Sequence, residues 1–302
     1  MTGVHEMIPF NPESSLDILL HHLFDYAGMF PPAQRSFPDA LSESASLANS
    51  LERPWLVGAD LVLDTNHLCK LTPEALSTAG FTRPVSVCLL AAGNVDDTTA
   101  TLQETPHIRI ASIEVKVTTD SLPQLLTHYA PLATRLGALL AVEPDLSTAV
   151  WRDSLKAVVE IVRGHGTTVA LKCRCTGPTG IGPDRLAAAI AAAADARLPY
   201  KVTGGLHYPL VEPQRHPFPM GFLNVAAAVC ARRARGESAS ENLLSQLLRN
   251  DSMRPFLSSE ELSFEGLSLS SKEVREARAV AHISIGSCSV HEPDQDLIRL
   301  LP

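Results

Sequence analysis

The chain has 302 residues, enough for one large domain, and 45% of them are hydrophobic, which allows a sizeable core. Its net charge is −8, from 33 acidic and 25 basic residues. This composition argues against nucleic acid as a partner, because the chain has no basic run and few aromatic side chains for base stacking.

The sequence indicates neither export nor membrane insertion. Its first segment, MTGVHEMIPFNPESS, has no basic region followed by an apolar stretch, so we expect no signal peptide. No window approaches the ~18 uninterrupted apolar residues of a membrane span, so we expect no membrane partner. The six cysteines are too sparse for a disulfide framework, which favours reduced thiols and a cytoplasmic location.

Apolar periodicity predicts helices at the start of the chain. Ser14 and Asp17 form a capping pattern before LDILLHHLFDYAG, whose helical spacing runs to Gly28. DALSESASLANSLE predicts a second helix after a proline-bounded loop. We therefore predict a helical N-terminal extension over residues 1–53.

Strand and helix patterns alternate over residues 54–302. The clearest apolar runs are WLVGADLVLD, PVSVCLLAAG, HIRIASIEVKV, ALLAVEPD, TVALKCRCTG and PYKVTGG. LSFEGLSLS is a weaker seventh strand and ISIGSCSV an eighth. Such alternation implies parallel pairing through crossover helices. The sequence thus predicts an α/β fold, a (β/α)8 TIM-type barrel in a single globular unit. An open doubly wound sheet is the alternative, although its usual glycine-rich nucleotide motifs are missing.

Polar residues recur with the same parity in four consecutive strands. Side chains alternate between the two faces of a strand, and in a barrel this polar face would point inward near the catalytic end. The residues of this face are Glu114, Lys116, Glu143, Lys172, Arg174, Lys201 and Thr203. The two carboxylates and four cations predict a pocket with excess positive charge, which suits a small anionic metabolite. A salt-bridge network without a catalytic role is the alternative.

The segment Lys201-Val202-Thr203-Gly204-Gly205 resembles the Schiff-base strand of class I aldolases of the deoxyribose-phosphate type. In that family a Lys-Thr-x-Thr-Gly segment carries the reactive amine, and this chain has Val202 at the second position. The resemblance implies that Lys201, on the sixth predicted strand, forms an imine with a carbonyl substrate. Such a lysine needs a lowered pKa, which we expect burial and the cations Lys172 and Arg174 to provide. An ammonium that anchors substrate and a structural ion pair are the alternatives.

Other polar residues are candidates for proton transfer or substrate binding. Glu143, Glu114 and His207 are candidate acids or bases. Asn224 could present its amide to substrate, or it could be an ordinary polar residue at a helix start. In GSCSVHEP, the residues Ser287, Cys288 and Ser289 could donate hydrogen bonds to an anion.

A cysteine nucleophile and a metal centre are weaker interpretations of the same residues. Cys288 could act as a nucleophile, but the sequence assigns it no histidine partner. A metal at Glu114, Glu143 and His207 is disfavoured by the surrounding cations, so we expect neither a metal nor a cofactor.

Four segments, DYAGMFPPA, KVTGGLHYP, GFLN and GSCSVHEP, together resemble a family of uncharacterised bacterial proteins. This resemblance spans most of the chain and implies that the segments form one site, but it implies no chemistry.

The sequence therefore predicts an enzyme that acts on a small anionic carbonyl metabolite as an aldolase-like lyase, through an imine at Lys201. A non-covalent acid–base isomerase or epimerase is one alternative, and a barrel that binds an anion without turnover is another. The sequence is compatible with a homo-oligomer and does not decide the oligomeric state.

Overall fold

The computed structural model describes residues 14–49, 59–91, 107–212, 220–251, 256–257, 261–264, 267–280 and 283–300. Within these residues, eight parallel strands close into a barrel with helices interleaved between them, which confirms the predicted TIM-type fold. In spatial order the barrel strands are β1 (Phe24–Tyr26), β2 (Asp60–Asp64), β3 (Val85–Leu90), β4 (Ile108–Val117), β5 (Leu139–Pro144), β6 (Val169–Arg174), β7 (Tyr200–Thr203) and β11 (Ile283–Ser287). Pairing of β11 with β1 closes the ring.

Helices cover the outside of the barrel. They are α1 (Ser15–Leu20), α2 (Phe37–Ala48), α3 (Thr65–Leu68), α4 (Pro73–Ala79), α5 (Leu122–Leu136), α6 (Trp151–Val162), α7 (Pro183–Asp195), α8 (Phe222–Arg235), α9 (Glu241–Arg249), α10 (Ser271–Val280) and α11 (His291–Leu300). Short 3₁₀ turns follow α6 and α8 at Arg163–Thr168 and Gly236–Ser238. In the part of the chain that the structure describes, no helix is both long enough and apolar enough to cross a bilayer.

Local sequence signals explain where several of these helices begin. The Ser14 hydroxyl accepts a hydrogen bond from the Asp17 amide, so the predicted capping pattern does start α1. Thr72 caps α4 in the same way, with Pro73 in the first turn. Strand β5 is buried along nearly its whole length, as expected for a parallel strand whose two faces are both covered.

The first barrel strand lies within the segment for which the sequence predicts helix. Helix α1 ends at Leu20, and His22 takes a left-handed conformation with φ 51° before Phe24–Tyr26 pairs with β2 and β11. The prediction of a continuous helix to Gly28 is therefore wrong, and residues 24–26 belong to the barrel rather than to an extension over 1–53. Burial of Phe24 and Tyr26 beside two neighbouring strands outweighs the helical spacing.

The weak seventh strand of the prediction lies outside the barrel. LSFEGLSLS forms β9 (Glu261–Phe264) and β10 (Leu267–Ser270), an antiparallel pair that joins β8 (Phe256–Leu257) in a separate sheet. This antiparallel sheet is separate from the barrel, and β11 follows β7 directly around the ring. Lys201 is consequently on the seventh barrel strand, and Lys172 is on the sixth.

Candidate active site

A cavity of about 610 Å³ lies at the C-terminal end of the barrel. The final residues of several strands line it, among them Leu90 of β3, Arg174 of β6 and Thr203 of β7. The loop Phe30–Pro32 closes one side, and the loop after β7 lines another. This is the end of the barrel at which TIM-barrel enzymes carry their active sites.

Below the cavity, six charged side chains form a continuous series across the barrel interior. We call this series the charge chain; its members in order of contact are Asp25, Lys201, Glu114, Lys172, Glu143 and Arg174. Carboxylates and cations alternate along it, so each inner member has an oppositely charged neighbour on both sides. The structure therefore brings together five residues that the sequence places on one face, and adds Asp25.

The contacts within the charge chain are short. The Lys201 ammonium donates to Asp25 and lies 2.5 Å from Glu114 Oε1. The Lys172 ammonium lies 2.5 Å from Glu114 Oε2 and 2.6 Å from Glu143 Oε2. Arg174 reaches the other Glu143 oxygen, with Nε 2.6 Å from Oε1. Charge-assisted contacts of this length hold the side chains in fixed positions.

The electrostatics of Lys201 differ from the sequence expectation. Burial disfavours its ammonium, but the charges of Asp25 and Glu114 outweigh burial and hold the Lys201 pKa well above its usual value. The expected lowering of this pKa by cationic neighbours is thus wrong, because carboxylates lie against the amine and separate it from Lys172.

Glu114 and Lys172 reinforce each other's charged forms in the same way. Burial opposes ionisation of Glu114, but Lys172 and Lys201 outweigh it and the Glu114 pKa is lowered. Burial also disfavours the Lys172 ammonium, yet the charges of Glu114 and Glu143 raise its pKa. Both groups are therefore ionised at neutral pH.

Asp25 changes the predicted charge of the site. With this third carboxylate, three anions balance three cations in the charge chain, so its members carry no net charge. The excess positive charge that the sequence predicts is reduced to Lys116, which is exposed, lines the cavity and makes no ion pair with any residue that the structure describes. Lys116 is therefore available to bind an anionic group.

Asp25, Cys88 and Glu114 offer a set of donor atoms within 4.8 Å of one another. The Lys201 ammonium contacts both carboxylates and lies 3.3 Å from Cys88 Sγ. The donor set thus already surrounds an internal cation, and its geometry fits the ammonium.

The mouth of the cavity carries neutral polar groups. Thr203, His207, Ser287 and Cys288 all line it. The His207 Nε2 atom lies 3.8 Å from Cys288 Sγ, and the Ser287 hydroxyl donates to the Ser289 carbonyl at 2.5 Å. The mouth therefore joins the loop after β7 to the loop after β11.

Close approach of the backbone at the mouth requires glycine. Gly204 has φ 84°, and a Cβ there would lie 2.3 Å from Thr176 Oγ1. A Cβ at Gly286 would lie 2.8 Å from Thr203 Oγ1. Glycine at both positions is thus a consequence of packing between adjacent strand ends.

Four predicted site residues do not line the cavity. Lys201 and Glu143 belong to the charge chain, whose Glu114, Lys172 and Arg174 do line it. Asn224 is fully buried, and its amide donates to the Leu247 and Asn250 carbonyls at 2.8 and 3.0 Å, so it joins α8 to α9 rather than binding substrate.

Ser289 is the fourth of these residues. Its hydroxyl accepts a hydrogen bond from the Glu292 amide at 3.3 Å and caps α11, while its carbonyl accepts from Ser287. These contacts give it a local structural role instead of the predicted anion-binding one.

Sequence reasoning assigned no role to three residues of this region, Asp25, Cys88 and Glu292, although Asp25 and Glu292 lie in the segments DYAGMFPPA and GSCSVHEP that the family resemblance places in one site. Asp25 lies in a strand of three residues, too short for a periodic signal, and follows a segment with helical spacing. Cys88 resembles any other apolar strand residue, and only its contacts with Glu114 and Lys201 reveal its position. Glu292 lies in the first turn of α11, where an acidic residue is ordinary.

In comparisons with known proteins, no family model and no curated protein matches this chain.

Proposed function

We propose that the protein is an enzyme that transfers a proton on a small anionic carbonyl compound without forming a covalent bond to it, as an isomerase, an epimerase or a related lyase does. The observation that carries this proposal is the Lys172–Glu114 ion pair. Both residues are buried and line the cavity, with 2.5 Å between Lys172 Nζ and Glu114 Oε2. An acid and a base therefore face the same enclosed volume.

The two charges suit enolisation. The Lys172 ammonium would donate to the carbonyl oxygen and stabilise the negative charge that develops there. The Glu114 carboxylate would accept the proton from the adjacent carbon and return it after rearrangement. Its lowered pKa makes it a weak base at rest. As the ammonium turns toward the substrate oxygen, Glu114 loses part of the interaction that lowers this pKa and becomes a stronger base.

The cavity wall favours an anionic substrate. Lys116 is exposed there, and Arg174 keeps 29% of its side chain exposed beside Glu143. Gly204, Gly205 and Ser287 line the mouth after the last two barrel strands, where TIM barrels commonly bind phosphate. A carboxylate or phosphate would bind these groups while the carbonyl reaches Lys172. The volume of about 610 Å³ accommodates a small metabolite.

Imine formation at a buried lysine is the second candidate. Lys172 and Lys201 occupy paired positions on adjacent strands and both contact Glu114, which could take a proton from either amine. The resemblance of the segment 201–205 to the reactive strand of class I aldolases supports Lys201. Two observations favour the non-covalent mechanism instead: both amines have raised pKa values, and Lys201 does not line the cavity.

Proton exchange in D₂O tests the proposal. The purified protein is incubated with a panel of small carboxylated and phosphorylated aldehydes and ketones, and loss of the α-proton signal is followed by ¹H NMR. We expect one compound class to exchange, with Lys172→Met and Glu114→Gln slowing exchange by about 10²-fold or more. Lys116→Met should mainly weaken binding, and the exposed Lys156→Met serves as a matched control without effect.

Two results would contradict non-covalent proton transfer. A stable adduct on Lys172 or Lys201 after borohydride reduction would establish the imine candidate instead. If compounds bind to the cavity but show neither proton exchange nor an adduct, the protein is an anion-binding barrel without turnover.

A further inference from the structure

Cys288, His207 and Glu292 form a second reactive cluster, separate from the charge chain. His207 Nε2 lies 3.8 Å from Cys288 Sγ, within the range of a sulfur hydrogen bond. On the other side of the ring, Nδ1 lies 3.4 Å from Glu292 Oε2, an ion-pair contact that lacks hydrogen-bond geometry. This order of thiol, imidazole and carboxylate is the arrangement that activates a nucleophile.

The barrel topology creates this cluster. His207 follows β7 after the Gly204-Gly205 turn, and Cys288 follows β11, the next strand around the ring. Glu292 lies in the first turn of α11, which Ser289 caps. A carboxylate near Nδ1 favours the proton on that nitrogen, which leaves the Nε2 lone pair facing the thiol.

Cys288 is distinct from the other cysteines. Cys88, Cys173, Cys175 and Cys230 are fully buried, and burial raises the pKa of each thiol. Cys288 lines the cavity and accepts a hydrogen bond from the Ala33 amide. Burial raises its pKa as well, so its thiol needs a base to become reactive at neutral pH.

We propose that Cys288 is a nucleophile in the cavity, that His207 is its general base, and that Glu292 is a positioning residue for the His207 ring. The acceptor is the carbonyl carbon of an anionic aldehyde that occupies the cavity in place of the proton-transfer substrate, and its anionic character rests on the proposed function. His207 takes the thiol proton, sulfur forms a bond to the carbonyl carbon, and the C=O electron pair moves to oxygen. That oxygen takes the proton from His207, which gives a hemithioacetal with no oxidation or reduction.

Alkylation by iodoacetamide tests the thiol–imidazole pair without any substrate. The rate of labelling at each cysteine is measured by peptide mass spectrometry in the native protein. Cys69 is exposed and provides an internal reference rate, and the four buried cysteines report folding because they label only when the barrel opens. We expect Cys288 to label, with a rate that falls at least tenfold in His207→Gln and severalfold in Glu292→Gln. Cys69 should label unchanged in both variants, and the exposed His165→Gln should behave as the wild type.

Two results would overturn the proposal: no labelling of Cys288 while Cys69 reacts, or an unchanged Cys288 rate in both variants with the buried cysteines still protected. An aldehyde that exchanges protons in D₂O should also slow labelling of Cys288 in the wild type. Alkylation needs no carbonyl compound, so the Cys288–His207 pair can still be measured if no compound exchanges its proton. Conversely, a failure of Cys288 to label would not affect the proton-transfer proposal.

Discussion

Replacing Lys201 with methionine should show how strongly the stability of the protein depends on the electrical neutrality of the charge chain. The ammonium contacts Asp25 and Glu114 and is 2% exposed. Methionine keeps most of the side-chain volume, so cavity formation adds little. The variant leaves two buried carboxylates with one fewer cation, and breaking a buried ion pair in this way costs about 3–5 kcal/mol of unfolding free energy.

The double variant Asp25→Asn with Lys201→Met separates charge from packing. It removes one charge of each sign, so the remaining members of the charge chain are again balanced. We expect it to recover at least 1 kcal/mol relative to Lys201→Met alone, a coupling typical of contacting residues. Lys156→Met, on the exposed face of α6, is the matched control and should change stability by less than about 0.5 kcal/mol.

Urea unfolding at pH 7, followed by circular dichroism, measures the wild type, these three variants and the single variant Asp25→Asn. A loss below 1 kcal/mol in Lys201→Met would refute this reasoning. So would a double variant that is less stable than the sum of the two single changes predicts.

Three further predictions concern residues around the site. Burial, assisted by the charge of Asp25, raises the pKa of Asp60 to about 6 from an ordinary value of 3.8. Because the pKa of Asp60 is higher in the folded than in the unfolded state, its ionisation destabilises the fold progressively as the pH rises from 3.8 to about 6, and has no effect below that range. Asp60→Asn should therefore stabilise the protein by up to about 3 kcal/mol at pH 8 and about half as much at pH 5. If urea unfolding shows that the gain in unfolding free energy of Asp60→Asn does not depend on pH, this prediction is wrong. Gly204→Ala should cost at least about 1–2 kcal/mol because of its positive φ and the close Thr176 hydroxyl, whereas Gly164→Ala, which has open space, should be nearly neutral in thermal unfolding. Asn224→Ala should lower stability by about 2 kcal/mol through its lost contacts to α9 and leave ligand affinity unchanged, and a large affinity loss in calorimetry would restore its predicted binding role.

The sequence predicts the barrel and most of the charge chain because two simple periodicities control them. Apolar runs alternating with helical patterns indicate parallel strands, and the parity of Glu114, Lys172 and Lys201 places these residues on one inner face. That face is visible in sequence because a buried strand with recurring charges is rare.

The sequence predicts neither the first barrel strand nor the charge balance of the site. The three residues of β1 are too short for a periodic signal, and they follow a genuine helix start at Ser14. A prediction without β1 also lacks Asp25, and without Asp25 the site would have excess positive charge and a lysine with a lowered pKa. A single three-residue strand thus changes the expected chemistry of Lys201.

The roles of Asn224 and Cys288 depend on distant partners. Asn224 bonds to carbonyls that come more than 20 residues later, and Cys288 meets a histidine 81 residues earlier. Neither pairing has a local sequence pattern, because each arises from packing between elements that are neighbours only in the folded barrel.

The most direct test of the mechanism is the protonation state of Lys172 and Lys201. Protein labelled with ¹³C and ¹⁵N in lysine, with Lys172→Met and Lys201→Met for assignment, gives the Cε and Nζ shifts of both side chains across a pH titration. Since neighbouring carboxylates raise both pKa values, we expect both amines to remain ammonium ions throughout the range from pH 7 to 9. A neutral amine on either lysine in this range would contradict proton transfer by a Lys172–Glu114 ion pair held in its charged form, and would favour imine chemistry at that residue.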